Sequence, residues 1–246
     1  TTLSSASAVV LYSMSAMTVW YGVGSRFRHA CACARSCASS RASSRASSSF
    51  HDASSVGKSQ VTDRQEVAAT RWLALDTLSY RDAKGNDRKW DMVRRTTRNE
   101  NADADAVAIF TKMYKEGEPV RTIVVRQFRP PLNCHTIELP AGLLDAGETA
   151  SEAALRELKE ETGYTAVVEH VSPPLSLSAG LTDECIRLVT CTVDLDAAVN
   201  ADPKQALDDT ESIEVSVVAV KDLRGFLDKA SERGDVVFAG LYHQTV

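Results

Sequence analysis

A chain of 246 residues holds one core of ordinary size with room for a small addition, and is too short for two full domains. A composition of 43% hydrophobic and 25% charged residues suits a soluble globular fold, and no run of eighteen apolar residues is available to span a bilayer, so no membrane segment is expected. Residues 1–51 contain five arginines and no acid or lysine, which leaves 23 bases against 33 acids beyond them; a net charge of −10 there repels a nucleic-acid backbone, and no nucleic-acid partner is expected.

The chain opens on Ser, Ala and Arg, with a Ser-Arg-Ala-Ser-Ser near-repeat at 40–48, and nothing before about residue 60 supplies a second apolar face. No fold is expected over 1–60. An Arg-rich, Ser-rich leader without acids reads as an organellar transit peptide, the stretch Val9–Val23 also reads as a secretory or anchoring segment, and an unstructured leader is the third reading. The expected location is intracellular: mitochondrial or another organelle if the leader is a transit peptide, cytoplasmic otherwise. Cys31, Cys33 and Cys37 fall in this leader, while Cys134, Cys185 and Cys191 are scattered at no zinc-ligand spacing and read as reduced, buried small hydrophobes.

From Val61 the pattern becomes apolar runs separated by turn signals. Trp72–Arg81 and Lys89–Arg98 around Asp82–Asp87 read as one β-hairpin, and Ala104–Tyr114 and Val120–Phe128 around Lys115–Glu118 as a second. Pro130-Pro131 ends that strand, and a short apolar approach follows over Ile137–Gly142. Thr149 and Glu152 have capping-box spacing, Ala153, Ala154, Leu155 and Leu158 form an apolar stripe, and Gly163 is a terminator, so a helix of about three to four turns is expected. Further strands are expected near Cys185–Leu195 and Ile213–Val220. A closing helix is expected over Lys221–Arg233, with Leu223, Phe226 and Leu227 on one face.

On the first helix Glu157 and Glu161 share a face, with Glu160 at its flank. Left alone, these carboxylates repel. Arg156 and Lys159 relieve part of this if the face is simply solvated; the other reading is that hard divalent cations, which take oxygen ligands, hold the carboxylates together.

The surrounding spacing separates the two. Gly142, five residues, Glu148, seven residues, then Arg156-Glu-Leu-Lys-Glu-Glu-Thr-Gly-Tyr164 resembles the Nudix box, and a chance match of its fixed identities is on the order of one in a million. Tyr164 departs from the aliphatic residue usual there. The resemblance extends over roughly Trp72 to Val220 and is specific to the ADP-sugar pyrophosphatase branch, through Lys89–Arg98, Val125–Pro131, Ile137–Asp145 and Ser178–Glu184. It implies an α/β fold: an α/β/α sandwich with a mixed central sheet over 104–246, preceded over 61–103 by a small antiparallel sheet used in dimerisation and adenine binding.

The resemblance also implies roles. Glu157 and Glu161 are expected as Mg²⁺ ligands, with Glu160 as a further or water-mediated ligand, the carbonyl of Ala141 completing part of the shell, and Mn²⁺ as a possible substitute. Glu148 either contacts metal or braces Arg156. A general base is expected outside the helix, with Glu211 as candidate and Glu214 as runner-up; Glu211, Glu160 and Arg156 form the expected catalytic set. Trp72 and Trp90 are placed at adenine-stacking positions supplied partly by a second subunit, or else they fill a dimer core. Asp91 is the expected acceptor for the adenine amino group, and Arg95 and Arg129 are the diphosphate clamps. Gly180 and Leu181 belong to a sugar-covering loop whose Asp183 and Glu184 are expected to read hydroxyls. Arg94 and Arg98 are expected to face solvent or a partner. The implied reaction is hydrolysis of a nucleotide sugar, ADP-ribose first, by a homodimer; ADP-glucose or a UDP-sugar as substrate, and a Nudix-fold binder without turnover, are the alternatives.

Overall fold

The protein is described here by a computed structural model covering residues 58–98 and 102–245. The leader, with Cys31, Cys33 and Cys37, lies outside the described residues.

Strands β1 (Gln60–Ala69), β2 (Leu73–Arg81) and β3 (Asp87–Arg95) form a three-stranded antiparallel sheet in that order. The β2–β3 turn follows from its residues. Asp82 Oδ1 accepts hydrogen bonds from the backbone N–H groups of Lys84 and Asn86, and Gly85 takes the positive φ of 84° that a side chain would resist. Strand β1 was absent from the sequence reading. All ten of its residues are exposed, and Asp63-Arg-Gln-Glu66 breaks any apolar alternation, so pairing with β2 alone defines it.

Nine further strands make one mixed sheet: β4 (Ala106–Tyr114), β5 (Arg121–Arg129), β6 (Cys134–Glu138), β7 (Ala141–Leu143), β8 (Val167–Val171), β9 (Leu175–Ser176), β10 (Cys185–Asp194), β11 (Ile213–Ala219) and β12 (Val236–Val237). Pairing of β10 with β4 and of β12 with β6 is parallel; the remaining ladders are antiparallel. Helix α1 (Ala150–Thr162) covers one face, where Ala153, Ala154 and Leu158 pack on Val107, Ile109, Ile123 and Val189. Helices α2 (Leu223–Glu232) and α3 (Ala239–His243) cover the other, where Leu223, Leu227 and Leu241 pack on Ala108, Val124 and Val218. Successive residues such as Val107 and Ala108, or Ile123 and Val124, enter opposite cores, as the period of two requires. The α/β/α layering expected from the sequence is present.

The second expected hairpin departs from the reading in one informative way. β4 and β5 pair only beside their turn, at Met113 and Arg121, and then diverge. The Thr111 hydroxyl accepts the Ile123 N–H at 2.9 Å where a ladder bond would otherwise sit. Beyond the fork β5 lies between β6 and β11, and β4 lies between β7 and β10. The fork opens a cleft at the heart of the sheet.

The small sheet is tied to this body through β3. The Val93 N–H donates to Leu181 O at 2.9 Å, and the Trp90 indole N–H donates to Gly180 O at 3.1 Å. Arg94 and Arg98 correct the expectation of solvent-facing side chains. Arg94 donates to buried Asp76 at 2.7 Å and to Glu66 at 2.7 Å; Arg98 pairs with Asp105 and, at 3.0 Å, with Asp183. Both are structural ion pairs holding strands and loop together. Of the globular cysteines, Cys191 is buried as expected, while Cys134 and Cys185 are half-buried; all three are free thiols.

Candidate active site

The cleft has a volume of about 530 Å³, and its wall includes Arg95, Arg129, Ala141, Gly142, Glu157 and Glu211. Four secondary-structure elements and one loop supply these groups. Arg95 ends β3, Arg129 ends β5, Ala141 and Gly142 begin β7, Glu157 projects from α1, and Glu211 stands in the loop before β11.

Helix α1 is fixed at both ends as its sequence dictates. The Thr149 hydroxyl accepts the Glu152 N–H, the Glu152 carboxylate accepts the Thr149 N–H, and Gly163 closes the helix in the left-handed region at φ 78°. Gly142 has a different reason to be glycine. A Cβ at this position would stand 1.9 Å from the Glu157 carboxyl carbon, so the Glu157 carboxylate can lie where it does only because position 142 has no side chain.

Arg156 is the hub of the acidic face. Its Nε and one Nη donate to Glu148 at 2.9 Å each, and its other Nη donates to Glu157 at 2.8 Å and Glu160 at 3.1 Å. A further bond to Leu143 O, at 3.0 Å, ties the preceding loop to the helix. The ion pair with Arg156 expected as one role of Glu148 is present. These partners, Glu148 foremost, raise the Arg156 pKa, and Arg156 holds the Glu148 carboxyl below the usual range.

Glu161 is in the opposite situation. It is only 3% exposed, it has no ion-pair partner among the described residues, and among them its carboxylate accepts one hydrogen bond, from the Ala141 N–H at 3.1 Å. Burial pushes its carboxyl up to about 8; the Ala141 bond opposes this, while the charges of Glu157 and Glu211 reinforce it. Burial also raises Glu157, against the pull of Arg156.

Among the described residues, no group of three acidic, histidine or cysteine side chains converges as a ready metal site. In this structure Arg156 donates to the carboxylates of both Glu157 and Glu160. The donor chemistry fits a hard divalent cation: carboxylate oxygens beside the Ala141 backbone, with one buried acid, Glu161, that has no ion-pair partner among the described residues.

The basic side of the cleft is better ordered than the sequence suggested. Arg129 makes a two-pronged pair with Glu138 at 2.8 and 2.7 Å, and this pairing raises its pKa. Burial alone would lift the Glu138 carboxyl, but hydrogen bonds from Arg129 and Thr136 hold it low. Sequence reasoning gave Glu138 no role, although an acid inside the apolar run Ile137-Glu-Leu was the available signal. Arg95 donates to Glu184 at 2.6 Å, so Glu184 orients a cleft arginine in this structure.

Residues 103–239 match the NUDIX domain. The chain belongs to the Nudix family. The ADP-ribose pyrophosphatase of Saccharomyces cerevisiae is 39% identical over 171 residues, covering 69% of this chain and 74% of that one. The ADP-sugar pyrophosphatase of Mus musculus is 37% identical over 175 residues, covering 71% and 80%. A crystal structure of an ADP compounds hydrolase superposes with a TM-score of 0.52 at 19% identity, over 70% of this chain and 84% of that one, which supports the Nudix fold.

Placement of the expected Nudix site residues is uneven. Arg95, Arg129, Ala141, Glu157 and Glu211 share the cleft wall, and Glu161 sits against the Ala141 backbone. Arg156 and Glu160 stand outside that wall, joined to it through Glu157. Trp72, Trp90, Asp91, Gly180 and Leu181 do not line it. Trp72 and Trp90 are 55% and 43% exposed, with Arg71 stacked over the Trp72 ring at 4.2 Å. The Asp91 carboxylate accepts from the Thr77 hydroxyl at 2.6 Å. Glu211 folds back on its own loop, accepting the Asp208 N–H at 3.2 Å, and Glu214 is taken by Arg126 at 3.0 Å.

Proposed function

We propose that the protein hydrolyses the diphosphate of ADP-sugars, converting ADP-ribose to AMP and ribose 5-phosphate. The observation that carries this reading is the cleft itself, in which two arginines from β3 and β5 face the carboxylates Glu157 and Glu211 across a space suited to a diphosphate. Relatives with 37–39% identity over about 70% of the chain carry ADP-ribose and ADP-sugar pyrophosphatase activities in their names.

In this reading Arg129 and Arg95 bind the diphosphate. Arg129 reaches it with Nη1, the nitrogen left over from its pair with Glu138. Glu157, Glu161, Glu160 and the Ala141 carbonyl would hold Mg²⁺, or Mn²⁺ in its place, which when bound offsets the diphosphate charge and acidifies the attacking water. Glu211 accepts the proton of that water after leaving the Asp208 N–H, and Arg156 keeps the helix carboxylates aligned from behind. Glu161, pushed up as a lone buried acid, ionises once positive charge arrives beside it.

Adenine recognition needs a second copy of the chain. The Trp72 carbonyl accepts the Thr96 N–H, so Trp90 lies six residues along β3 from the level of Trp72, roughly 20 Å away. One purine cannot touch both rings of a single chain. The exposed apolar side chains of the small sheet, Val61, Val67, Leu73 and Leu75, support pairing through this sheet into a homodimer, with one tryptophan from each copy on the base and Asp91 accepting from its amino group. Gly180 and Leu181, held by Trp90 and Val93, would then border the sugar.

The test is release of phosphate from ADP-ribose in the presence of added phosphatase, with Mg²⁺ and again with EDTA, followed by a panel of nucleotide sugars ranked by kcat/KM. Release in Mg²⁺ that stops in EDTA, with ADP-ribose ranked first, is the expected result. Silence in both conditions, alongside measurable ADP-ribose binding, would assign the chain to ligand recognition without turnover.

A further inference from the structure

The segment before β11 crosses the C-terminal end of α1, where the last helical carbonyls lack intrahelical partners. The Ala206 N–H donates to Glu160 O at 2.8 Å. The Gln205 side-chain amide donates to Glu161 O at 2.7 Å and to Ile213 O at 2.9 Å. Gly163 leaves room for this crossing, since a Cβ there would stand 2.2 Å from the Lys204 backbone nitrogen. One side-chain nitrogen thus joins three things: the helix bearing Glu157 and Glu161, the start of the loop bearing Glu211, and the strand that ends the loop.

We infer that Gln205 is a positioning residue for the hydrolysis, fixing how closely Glu211 approaches the carboxylates of α1. The inference rests on the proposed role of Glu211 as general base. Without the clamp, the Ala206 bond is the one hydrogen bond among the described residues that ties 206–212 to the helix, and Glu211, whose carboxylate in this structure already accepts the Asp208 N–H, loses the fixed base from which its loop reaches the carboxylates of α1. An amide suits this place because both partners are carbonyl oxygens, and a carboxylate or hydrocarbon at the same position offers them no donor. Gln205 is itself exposed, so its substitution does not open a cavity in the core.

The experiment is a double-mutant cycle on the full chain with ADP-ribose and Mg²⁺, using Gln205→Ala, the equal-sized Gln205→Glu, and Glu211→Gln. The expected result for either Gln205 variant is a kcat lower by about tenfold, with KM within about twofold and Tm lower by no more than about 8 °C, the loss that two hydrogen bonds imply. In the Glu211→Gln background, either change should then lower kcat by less than about twofold. Wild-type kcat in both Gln205 variants, or the same fold loss in both backgrounds, would overturn the inference. Near-normal turnover by Glu211→Gln alone would instead remove the base assignment, and the clamp's purpose with it.

Discussion

Replacing Glu161 by glutamine should make the metal-free protein more stable and the enzyme nearly inactive. The buried carboxyl is pushed from 4.5 to about 8 in the folded chain, and unfolding returns it to solvent. Because the folded value is the higher one, the group costs the fold nothing below about pH 4.5. The cost grows as pH rises between the two values and is complete above about pH 8. At pH 7 the folded chain keeps the acid protonated while the unfolded chain ionises it, a difference of about 3 kcal/mol. Glutamine is neutral throughout and keeps an oxygen for the Ala141 N–H. In EDTA at pH 7 to 8 the variant should therefore melt higher, by on the order of 10 °C for a fold of this size, and the gap should close toward pH 4.5. Adding Mg²⁺ should raise the Tm of the wild type far more than that of the variant, and kcat should fall by at least about 100-fold. Thermal melts across that pH range with and without Mg²⁺, paired with the phosphate-release assay, decide the matter. Equal melting of the two proteins in EDTA at pH 8, or kcat within a few-fold of wild type, would refute the reasoning.

Gly142→Ala sets a methyl against the Glu157 carboxyl, the movable end of a side chain, so the carboxylate should yield while the backbone holds. A kcat lower by more than about tenfold and a weaker Mg²⁺ requirement curve, with Tm within a few degrees, are expected; a normal kcat would show that Glu157 is not needed where it stands. Trp90→Ala should chiefly raise KM for ADP-ribose, and an unchanged KM would limit this ring to anchoring the Gly180 loop. Removing residues 1–51 should leave kcat, KM and Tm unaltered, and collapse of the shortened enzyme would contradict the reading of that segment as a leader.

The sequence by itself determined whatever depends on near neighbours. Thr149, Glu152 and Gly163 set the limits of α1, Asp82 and Gly85 set the β2–β3 turn, and the Gly142–Tyr164 spacing set the family, because capping, turn formation and helix phase act within a few residues. β1 escaped, since ten exposed residues with charges at their centre owe their extended form to β2 and to no pattern of their own.

What only the tertiary structure decided is which distant groups meet. The fork between β4 and β5 opens the cleft, Glu138 and Glu184 orient Arg129 and Arg95, and Arg94 and Arg98 are drawn into ion pairs with Asp76, Asp105 and Asp183. Gln205 is the clearest case. Its two acceptors lie 44 and 8 residues away, and nothing in its flanking residues marks it. Such contacts carry no local signature, because they arise when the layers pack and bring remote carbonyls and charges within hydrogen-bond reach.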